Sequence, residues 1–208
     1  LDKPYIVYDI ETNLFSDLRS AQFYLAYAYI VRENWQWMYK YIDAKKLDKF
    51  VQYMLDFDWY IVGFNHIAFD NPVCIYNIKH WDDAMIEKLN NKSIDIFLLL
   101  RKLTKKRIWL NKVASALVWV EKTLWSGAEW DDLMKKYNET GDDSYLKTFK
   151  KYCKNDVEMT LLVFFYLLKY KKVHLAEWEF EFTIDDLIKY WWWKWMGNIT
   201  HKSVFSNR

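Results

Sequence analysis

Turn-forming residues are scarce in this chain, whose 208 residues include only 4 glycines and 2 prolines. This composition excludes collagen-like sequences and glycine- or proline-rich linkers. A disulfide framework is also lacking, because Cys74 and Cys153 are the only cysteines and neither belongs to a CxxC pair. We therefore expect a reducing, cytoplasmic setting rather than a secreted, disulfide-bonded domain.

Long apolar runs and a strong net charge are missing as well. The longest clean apolar run, residues 161–168, is far too short to span a bilayer, and no signal peptide is visible, so we expect no membrane association. A net charge of +2 supplies no global field for a polyanion, and nucleic-acid binding would depend on local basic patches. Hydrophobic residues make up 52% of the chain, which is ample for the core of one domain.

Tryptophan is abundant where glycine is rare, with 13 residues in the chain. Several occupy positions where a turn would favour glycine, such as Trp119 after the helical pattern 110–118 and the cluster at 191–195. We hypothesise that UGA codons meaning glycine have been translated as tryptophan. The alternatives are a genuinely tryptophan-rich chain or a designed one, and UGG codons at these positions in the gene would contradict the hypothesis.

Two carboxylates follow the apolar run 5–7, in the segment YDIET at 8–12. Residues two apart on a strand share a face, so Asp9 and Glu11 should project together from a strand end. Unpaired, they would repel each other and raise at least one pKa. A divalent cation with oxygen ligands would remove this penalty. Taken alone, the pair could also be two solvated acids at the end of a strand.

Two further acidic segments follow, NHIAFD at 65–70 and YCKND at 152–156. Asp70 lies where a strand gives way to a helix, and there it could also act as an N-cap. Tyr152 and Asp156 are four residues apart and share a helix face. The three motifs in this order resemble the DEDD exonuclease superfamily. The Tyr-x-x-x-Asp form resembles its tyrosine-type branch, which includes the proofreading domains of family B DNA polymerases and YprB-like predicted nucleases.

The order of the predicted elements agrees with this resemblance. The patterns predict strands at 4–9, 22–32 and 36–42, a helix at 45–57, a strand at 60–64, a helix from Asp70, a short strand running into a helix at 93–100, and helices at 110–118, 128–137 and 144–171. The resemblance implies a ribonuclease H-like α/β fold, a mixed five-stranded sheet of three antiparallel strands then parallel strands, flanked by helices. It would occupy residues 1–172, leaving 173–208 as a C-terminal extension that could be a hairpin, a partner-binding tail or disorder.

The activity implied by the resemblance is a metal-dependent 3′–5′ exonuclease using two Mg²⁺ or Mn²⁺ ions. Its metal ligands would be Asp9, Glu11, Asp70 and Asp156, with Asp9 bridging the ions, and Tyr152 would orient the attacking water. The expected substrate is single-stranded DNA or a frayed 3′ end, with RNA as an alternative. The products would be nucleoside 5′-monophosphates. The sequence does not show whether a polymerase or a helicase is a partner.

Candidate nucleic-acid-binding residues lie within and beside the motifs: Thr12, Asn65, Phe69, Lys151 and Lys154. Phe69 could equally be a core residue. The lysines belong to a basic run that flanks the third motif, and such runs give sequence-independent, salt-dependent contacts to phosphates. Most such runs are simply solvated helix faces.

Two other polar residues near the second motif have predicted roles. We expect His66 to line the wall of the cleft, since the position it occupies in the second motif is variable in the family. Asp95 resembles an acidic residue that often follows the second motif, and it could support the metal site from behind. An ordinary strand-end aspartate explains Asp95 equally well. No zinc-binding spacing of histidines is present.

Three other functions fit parts of this pattern. One is an RNA-directed or structure-selective nuclease of the same fold. Another is a catalytically silent nucleic-acid-binding module of a replication or repair assembly, although such a module has no chemical need for all five motif residues. The third is a small-molecule phosphohydrolase, which would need a closed pocket rather than an open basic cleft.

Overall fold

A computed structural model describes residues 3–13, 16–120, 127–175 and 178–189. Its elements, in chain order, are β1 (Tyr5–Thr12), β2 (Phe23–Val31), β3 (Trp37–Asp43), α1 (Leu47–Asp56), β4 (Tyr60–Gly63), α2 (Asp70–Tyr76), α3 (Asp83–Asn90), β5 (Ser93–Asp95), α4 (Ile96–Thr104), α5 (Leu110–Val118), α6 (Gly127–Thr140), α7 (Asp143–Tyr170), β6 (Lys172–Leu175), β7 (Trp178–Glu181) and α8 (Ile184–Lys189). Within these ranges, no helix has both the length and the apolar character needed to cross a bilayer.

The main sheet has five strands in the order β3-β2-β1-β4-β5. β1 pairs antiparallel with β2, and β2 pairs antiparallel with β3. β4 runs parallel to both β1 and β5. This arrangement confirms the predicted α/β fold class, with three antiparallel strands followed by parallel ones and helices on both faces.

The two faces of β1 pack against different helices because successive side chains alternate across a strand. Tyr5 and Val7 belong to a core cluster that includes the apolar half of α7. Ile6 and Tyr8 belong to a second cluster, built with α1 and α2. Asp9 and Glu11 lie on the same face of β1 as Tyr5 and Val7. Both carboxylates therefore project from the sheet beside α7.

Helix α7 spans 28 residues and carries the third motif. Its N-terminus is capped by Asp142, whose carboxylate accepts a hydrogen bond from the Ser144 amide at 2.8 Å. Its second half buries Val157, Leu161 and Phe164 against the sheet. This burial explains why the sequence from Met159 onward is so strongly apolar, and it fixes which side of the helix Asp156 occupies.

Two parts of the fold were not assigned from the sequence. Helix α3 was missed because only its last two residues, Leu89 and Asn90, are buried, which leaves a weak apolar periodicity. After residue 172 the chain forms a hairpin, β6 with β7, one of the alternatives considered for this segment. Val173 and Phe182 join the same core cluster as α7. The boundary at residue 172 stays a prediction, and residues 190–208 lie outside the described ranges.

Two tryptophans occupy left-handed backbone conformations, which favour glycine. Trp35 has φ 60° in the tight turn between β2 and β3, where its amide donates to the Arg32 carbonyl at 2.9 Å. Trp119 has φ 54° just after α5, and the next amide, of Val120, donates to the Ala114 carbonyl at 3.4 Å, as in a helix-ending motif built on glycine. Both rings are exposed, at 57% and 89%. These observations support the codon hypothesis at two positions, whereas the cluster at 191–195 lies outside the described residues.

We expect Trp35→Gly and Trp119→Gly each to stabilise the protein by about 1 kcal/mol, because a left-handed conformation costs an L-residue about 1–2 kcal/mol. Thermal unfolding should show a rise in Tm of about 2–4 °C for each. The matched control is Trp37→Gly, since Trp37 is also exposed, at 61%, but lies in β3 with its ring stacked on Tyr29. The control should lower Tm. A lower Tm in all three variants would contradict the strain argument.

Candidate active site

The carboxylates of Asp9 and Glu11 converge with a cysteine thiol at the end of β1. One ligand atom from each of Asp9, Glu11 and Cys153 lies within 4.8 Å of the others. Both acids are partly exposed, whereas Cys153 is fully buried. The Cys153 thiol donates a hydrogen bond to the Asp9 carbonyl oxygen at 3.5 Å. The third motif is therefore packed directly against the first.

Asp156 reaches the same place from the next turn of α7. Its side chain is buried, with 7% of the residue exposed. Burial raises the pKa of the Cys153 thiol well above its usual range, and the negative charges of Asp9, Glu11 and Asp156 raise it further. The charges of three motif carboxylates thus act on one protonated thiol. Tyr152 is also buried, at 5% exposed, and packs in a small cluster with Leu25 of β2.

Asp70 approaches β1 from helix α2. It is the first residue of the helix, and the N-cap is Phe69, which makes no side-chain capping bond, so the N-cap alternative is wrong. Instead the Asp70 carboxylate accepts a hydrogen bond from the Ile10 amide at 3.1 Å. That amide lies between Asp9 and Glu11, so the second motif is tied to the first. Burial raises the pKa of Asp70 to about 8, and the charge of Asp95 adds to the effect.

A buried polar network fixes α2 against β1, and it was not foreseen from the sequence. The Tyr8 hydroxyl donates to the Asn71 side-chain oxygen. The Asn71 amide then donates to Asn90 at 2.7 Å and to Ser93 at 3.1 Å. Tyr8 precedes Asp9 and Asn71 follows Asp70, so the network holds two neighbouring motif residues at a fixed separation. The only hint in the sequence is the polar residue Asn71 next to apolar helix positions.

Asp95 organises the loop that leads to Asp70. Its carboxylate accepts hydrogen bonds from the amides of Asn65 at 2.9 Å and Ile67 at 3.1 Å, and it caps α4 through the Leu98 amide at 3.2 Å. Asn65 adopts φ 65° in this loop. Asp95 is therefore more than an ordinary strand-end acid, because it holds the backbone of the second motif in place.

The prediction that His66 lines the cleft is wrong. Its side chain is fully buried, with 0% exposed. It packs against Gly63 so closely that a Cβ atom there would lie 2.6 Å from the imidazole Cγ. Burial lowers the pKa of His66 to about 3, so the ring is neutral. The loop turns this residue inward, where it supports the backbone rather than a substrate.

The candidate nucleic-acid-binding residues occupy different surroundings. Thr12 and Asn65 are partly exposed; Thr12 directly follows Glu11, whereas the Asn65 amide is bound by Asp95. Phe69 is partly buried against the core cluster formed with α1 and α2. Lys151 is exposed, whereas the Lys154 ammonium lies 4.9 Å from the ring centre of Tyr39 on β3. Their roles in binding stay predictions.

Comparison with known proteins identifies the family. A family model described as the RNase_H superfamily matches residues 6–168. The chain belongs to the ribonuclease H superfamily. The matched range contains all three motifs of this ribonuclease H superfamily member, from Asp9 to Asp156. A search of curated proteins found no match.

Solved structures similar to this ribonuclease H superfamily chain include exonuclease I. One, whose description says that the structure suggests how processivity is achieved, has 13% identity and a TM-score of 0.42. Another, an ExoI/SSB-Ct complex, has 12% identity and a TM-score of 0.38. Each alignment covers 81% of this chain and 44% of the other, so the chain spans less than half the length of these structures.

The donor set of this ribonuclease H superfamily member fits a hard divalent cation. Of the four predicted ligands, Asp9 and Glu11 lie together with Cys153, and all four, with Asp70 and Asp156, carry carboxylate oxygens, the ligand type that Mg²⁺ and Mn²⁺ prefer. The burial of Asp70 favours its neutral form unless a positive charge is close, and a cation would supply that charge. The Cys153 thiol is held protonated, so it does not compete as a soft ligand.

Proposed function

We propose that the chain is a metal-dependent 3′–5′ exonuclease that hydrolyses phosphodiester bonds at the 3′ ends of single-stranded DNA. The observation that best supports this function is the convergence of the three motifs on the end of β1. Asp9 and Glu11 lie beside the Cys153 thiol, the charge of Asp156 acts on the same thiol, and Asp70 bonds the amide between the first two acids. The fold and family are those of the ribonuclease H superfamily, which makes nuclease chemistry the leading proposal.

Each motif residue has a proposed task. Asp9, Glu11 and Asp156 would hold the metal from the α7 side of the site, and Asp70 would hold it from the α2 side. When bound, two Mg²⁺ or Mn²⁺ ions supply the Lewis acidity that activates water and stabilises the leaving oxygen. Tyr152 orients the attacking water through its hydroxyl. Thr12, Asn65 and Phe69 contact the terminal nucleotide.

The proposed setting is a reducing cytoplasm, in which the buried thiols of Cys74 and Cys153 stay free. A role in DNA repair agrees with digestion from a 3′ end. RNA is the alternative substrate, because the carboxylates act on a phosphodiester that both polymers share.

Digestion of a single-stranded oligonucleotide labelled at its 5′ end tests the proposal. With Mg²⁺ or Mn²⁺ we expect a ladder of labelled products that shorten one nucleotide at a time, and EDTA should abolish it. The same strand labelled at its 3′ end should release labelled mononucleotide from the start. An RNA strand of the same sequence shows the sugar preference.

Other outcomes of this digestion favour the rival functions. Early release of a 5′-labelled mononucleotide would reverse the polarity, and internal fragments alone would indicate an endonuclease. Digestion of RNA but not DNA would favour the RNA-directed nuclease. No hydrolysis by a chain whose fold is verified by circular dichroism would favour the silent binding module.

A further inference from the structure

An aromatic row runs along β3 at the edge of the main sheet. Trp37, Tyr39 and Tyr41 occupy alternate positions of the strand, so their side chains share one face of the sheet. Tyr41 pairs with Tyr27 of β2, which in turn pairs with Asp9 of β1. The aromatic row therefore lies on the same face of the sheet as the motif carboxylates, two strands away. Trp37 is 61% exposed, and the two tyrosines are half-buried.

A row of lysines on α7 runs beside these rings. Lys147, Lys150, Lys151 and Lys154 follow the i, i+3, i+4, i+7 spacing that places residues on one side of a helix. The Lys150 ammonium lies 4.1 Å from the ring centre of Tyr41, and that of Lys154 lies 4.9 Å from Tyr39. We call the seven residues of these two rows the β3–α7 surface.

The β3–α7 surface is separate from the proposed catalytic residues. At about 100° per residue, Tyr152 and Asp156 lie roughly 160° around α7 from Lys154. The lysines thus point to the β3 side of the helix, and the motif residues point to the opposite side. Any ligand bound on the lysine side does not occupy the carboxylate site.

Positive charge predominates on this surface. Lys46 approaches the Tyr41 ring at 5.3 Å, which adds a fifth lysine. The acids that interact with these lysines are Asp43, which pairs with Lys46 at 2.8 Å, Glu158, which pairs with Lys154 at 3.2 Å, and Asp142, whose carboxylate is stabilised by the charge of Lys147. Five lysines against these three acids leave an excess of positive charge among the described neighbours.

We propose that the β3–α7 surface is an accessory binding site for single-stranded nucleic acid. Aromatic rings on an open sheet stack with successive bases, and a neighbouring row of cations contacts the backbone phosphates. A duplex cannot use the rings in this way, because its base faces are already stacked. The lysine row also disfavours an apolar protein partner. The inference takes its substrate class from the proposed function, but it requires no catalysis.

Binding without hydrolysis tests the proposal. We would measure the Kd of the full chain for fluorescein-labelled oligodeoxythymidine by anisotropy, in EDTA, over a range of salt concentrations. Replacing both rings by Tyr39→Leu and Tyr41→Leu should raise Kd roughly tenfold or more, with the salt dependence unchanged. Replacing two cations by Lys147→Gln and Lys150→Gln should reduce the slope of log K against log salt by about 1.4.

The matched control combines Lys49→Gln and Tyr53→Leu on α1. These are an exposed lysine and an exposed tyrosine on the other side of the sheet, so their loss should leave Kd and the salt slope unchanged. Unchanged binding by both β3–α7 variants, equal losses in the control, or equal competition by a duplex would overturn the proposal. Because EDTA prevents hydrolysis, these outcomes are independent of the digestion ladder.

A footprint on the unaltered chain covers the case in which a tyrosine variant fails to fold. Acetylation of lysines, read by mass spectrometry, should show protection of Lys150 and Lys154 by the bound oligodeoxythymidine. Lys49 should be modified equally with and without it. Full modification of Lys150 and Lys154 in the presence of saturating oligonucleotide would overturn the proposal.

Discussion

Asp9→Asn is expected to lower the rate of 3′-end hydrolysis by about 10³-fold or more, while the protein remains folded. The substitution keeps the size of the side chain but removes a charge that the proposed ions need, and metal ions contribute several kcal/mol to such reactions. Asp9 is partly exposed, so the fold should tolerate the change. Single-turnover digestion of the 5′-labelled strand measures the rate, and titration calorimetry with Mn²⁺ measures the loss of metal affinity separately.

Asp56→Asn is the matched control for this prediction. Asp56 is an exposed acid on α1, where it accepts a hydrogen bond from Gln52 at 2.8 Å, far from the motifs in the fold. It should leave both the rate and the Mn²⁺ affinity unchanged. Glu11→Gln should resemble Asp9→Asn. If Asp9→Asn kept wild-type activity and Mn²⁺ affinity, the carboxylate cluster would not be the catalytic site.

The first motif could be read from the sequence because its geometry is local. Alternation along a strand requires Asp9 and Glu11 to share a face, whatever the rest of the fold does. The helical spacing of Tyr152 and Asp156, together with the apolar residues that follow, similarly fixed which side of α7 would face the sheet. The fold class followed from the order of strands and helices, since that order matches a known topology.

The parts that sequence analysis missed depend on contacts between distant segments. The loop that turns His66 inward is held by Asp95, which binds the amides of Asn65 and Ile67 from 30 and 28 residues away, and no local pattern predicts that contact. The bond from Tyr8 to Asn71 is equally non-local. The basic run at 147–154 was visible, but its position beside Tyr39 and Tyr41 depends on how α7 crosses β1 and β2. Helix periodicity places the lysines on one side of α7, but it does not show which strands that side faces.

The second large effect concerns the metal-free protein, whose stability should fall as pH rises from about 6.5 to 8. Burial raises the pKa of Asp70 from 3.8 to about 8, so the folded state prefers the protonated carboxyl. The stabilisation that the protonated carboxyl gives to the folded state is fully present below pH 3.8, the ordinary pKa of the group. It is lost as the pH rises through about 8. At up to about 1.4 kcal/mol per pH unit, the loss across this window is about 2 kcal/mol.

Other buried groups contribute to the pH dependence of stability mainly outside the range from about pH 6.5 to 8. Asp95, with its pKa raised to about 6, acts in the same direction but has lost its contribution above that pH. His66 acts in the opposite direction: its pKa is lowered from 6.5 to about 3, so its stabilisation is present above 6.5 and is lost only in acid. The thiols of Cys74 and Cys153 ionise in the unfolded chain near pH 9.0, above the window. Asp70 therefore dominates the slope between 6.5 and 8.

Urea unfolding at several pH values in EDTA measures this slope, and Asp70→Asn should remove it. Saturating Mn²⁺ should also flatten the slope in the wild type, because a bound cation stabilises the carboxylate form of Asp70 and favours the folded state. Asn at this position keeps an acceptor for the Ile10 amide, so the comparison isolates the charge. A slope that persisted in Asp70→Asn would show that Asp70 does not titrate between about pH 6.5 and 8. A slope that Mn²⁺ left unchanged would show that Asp70 does not face the proposed metal ions.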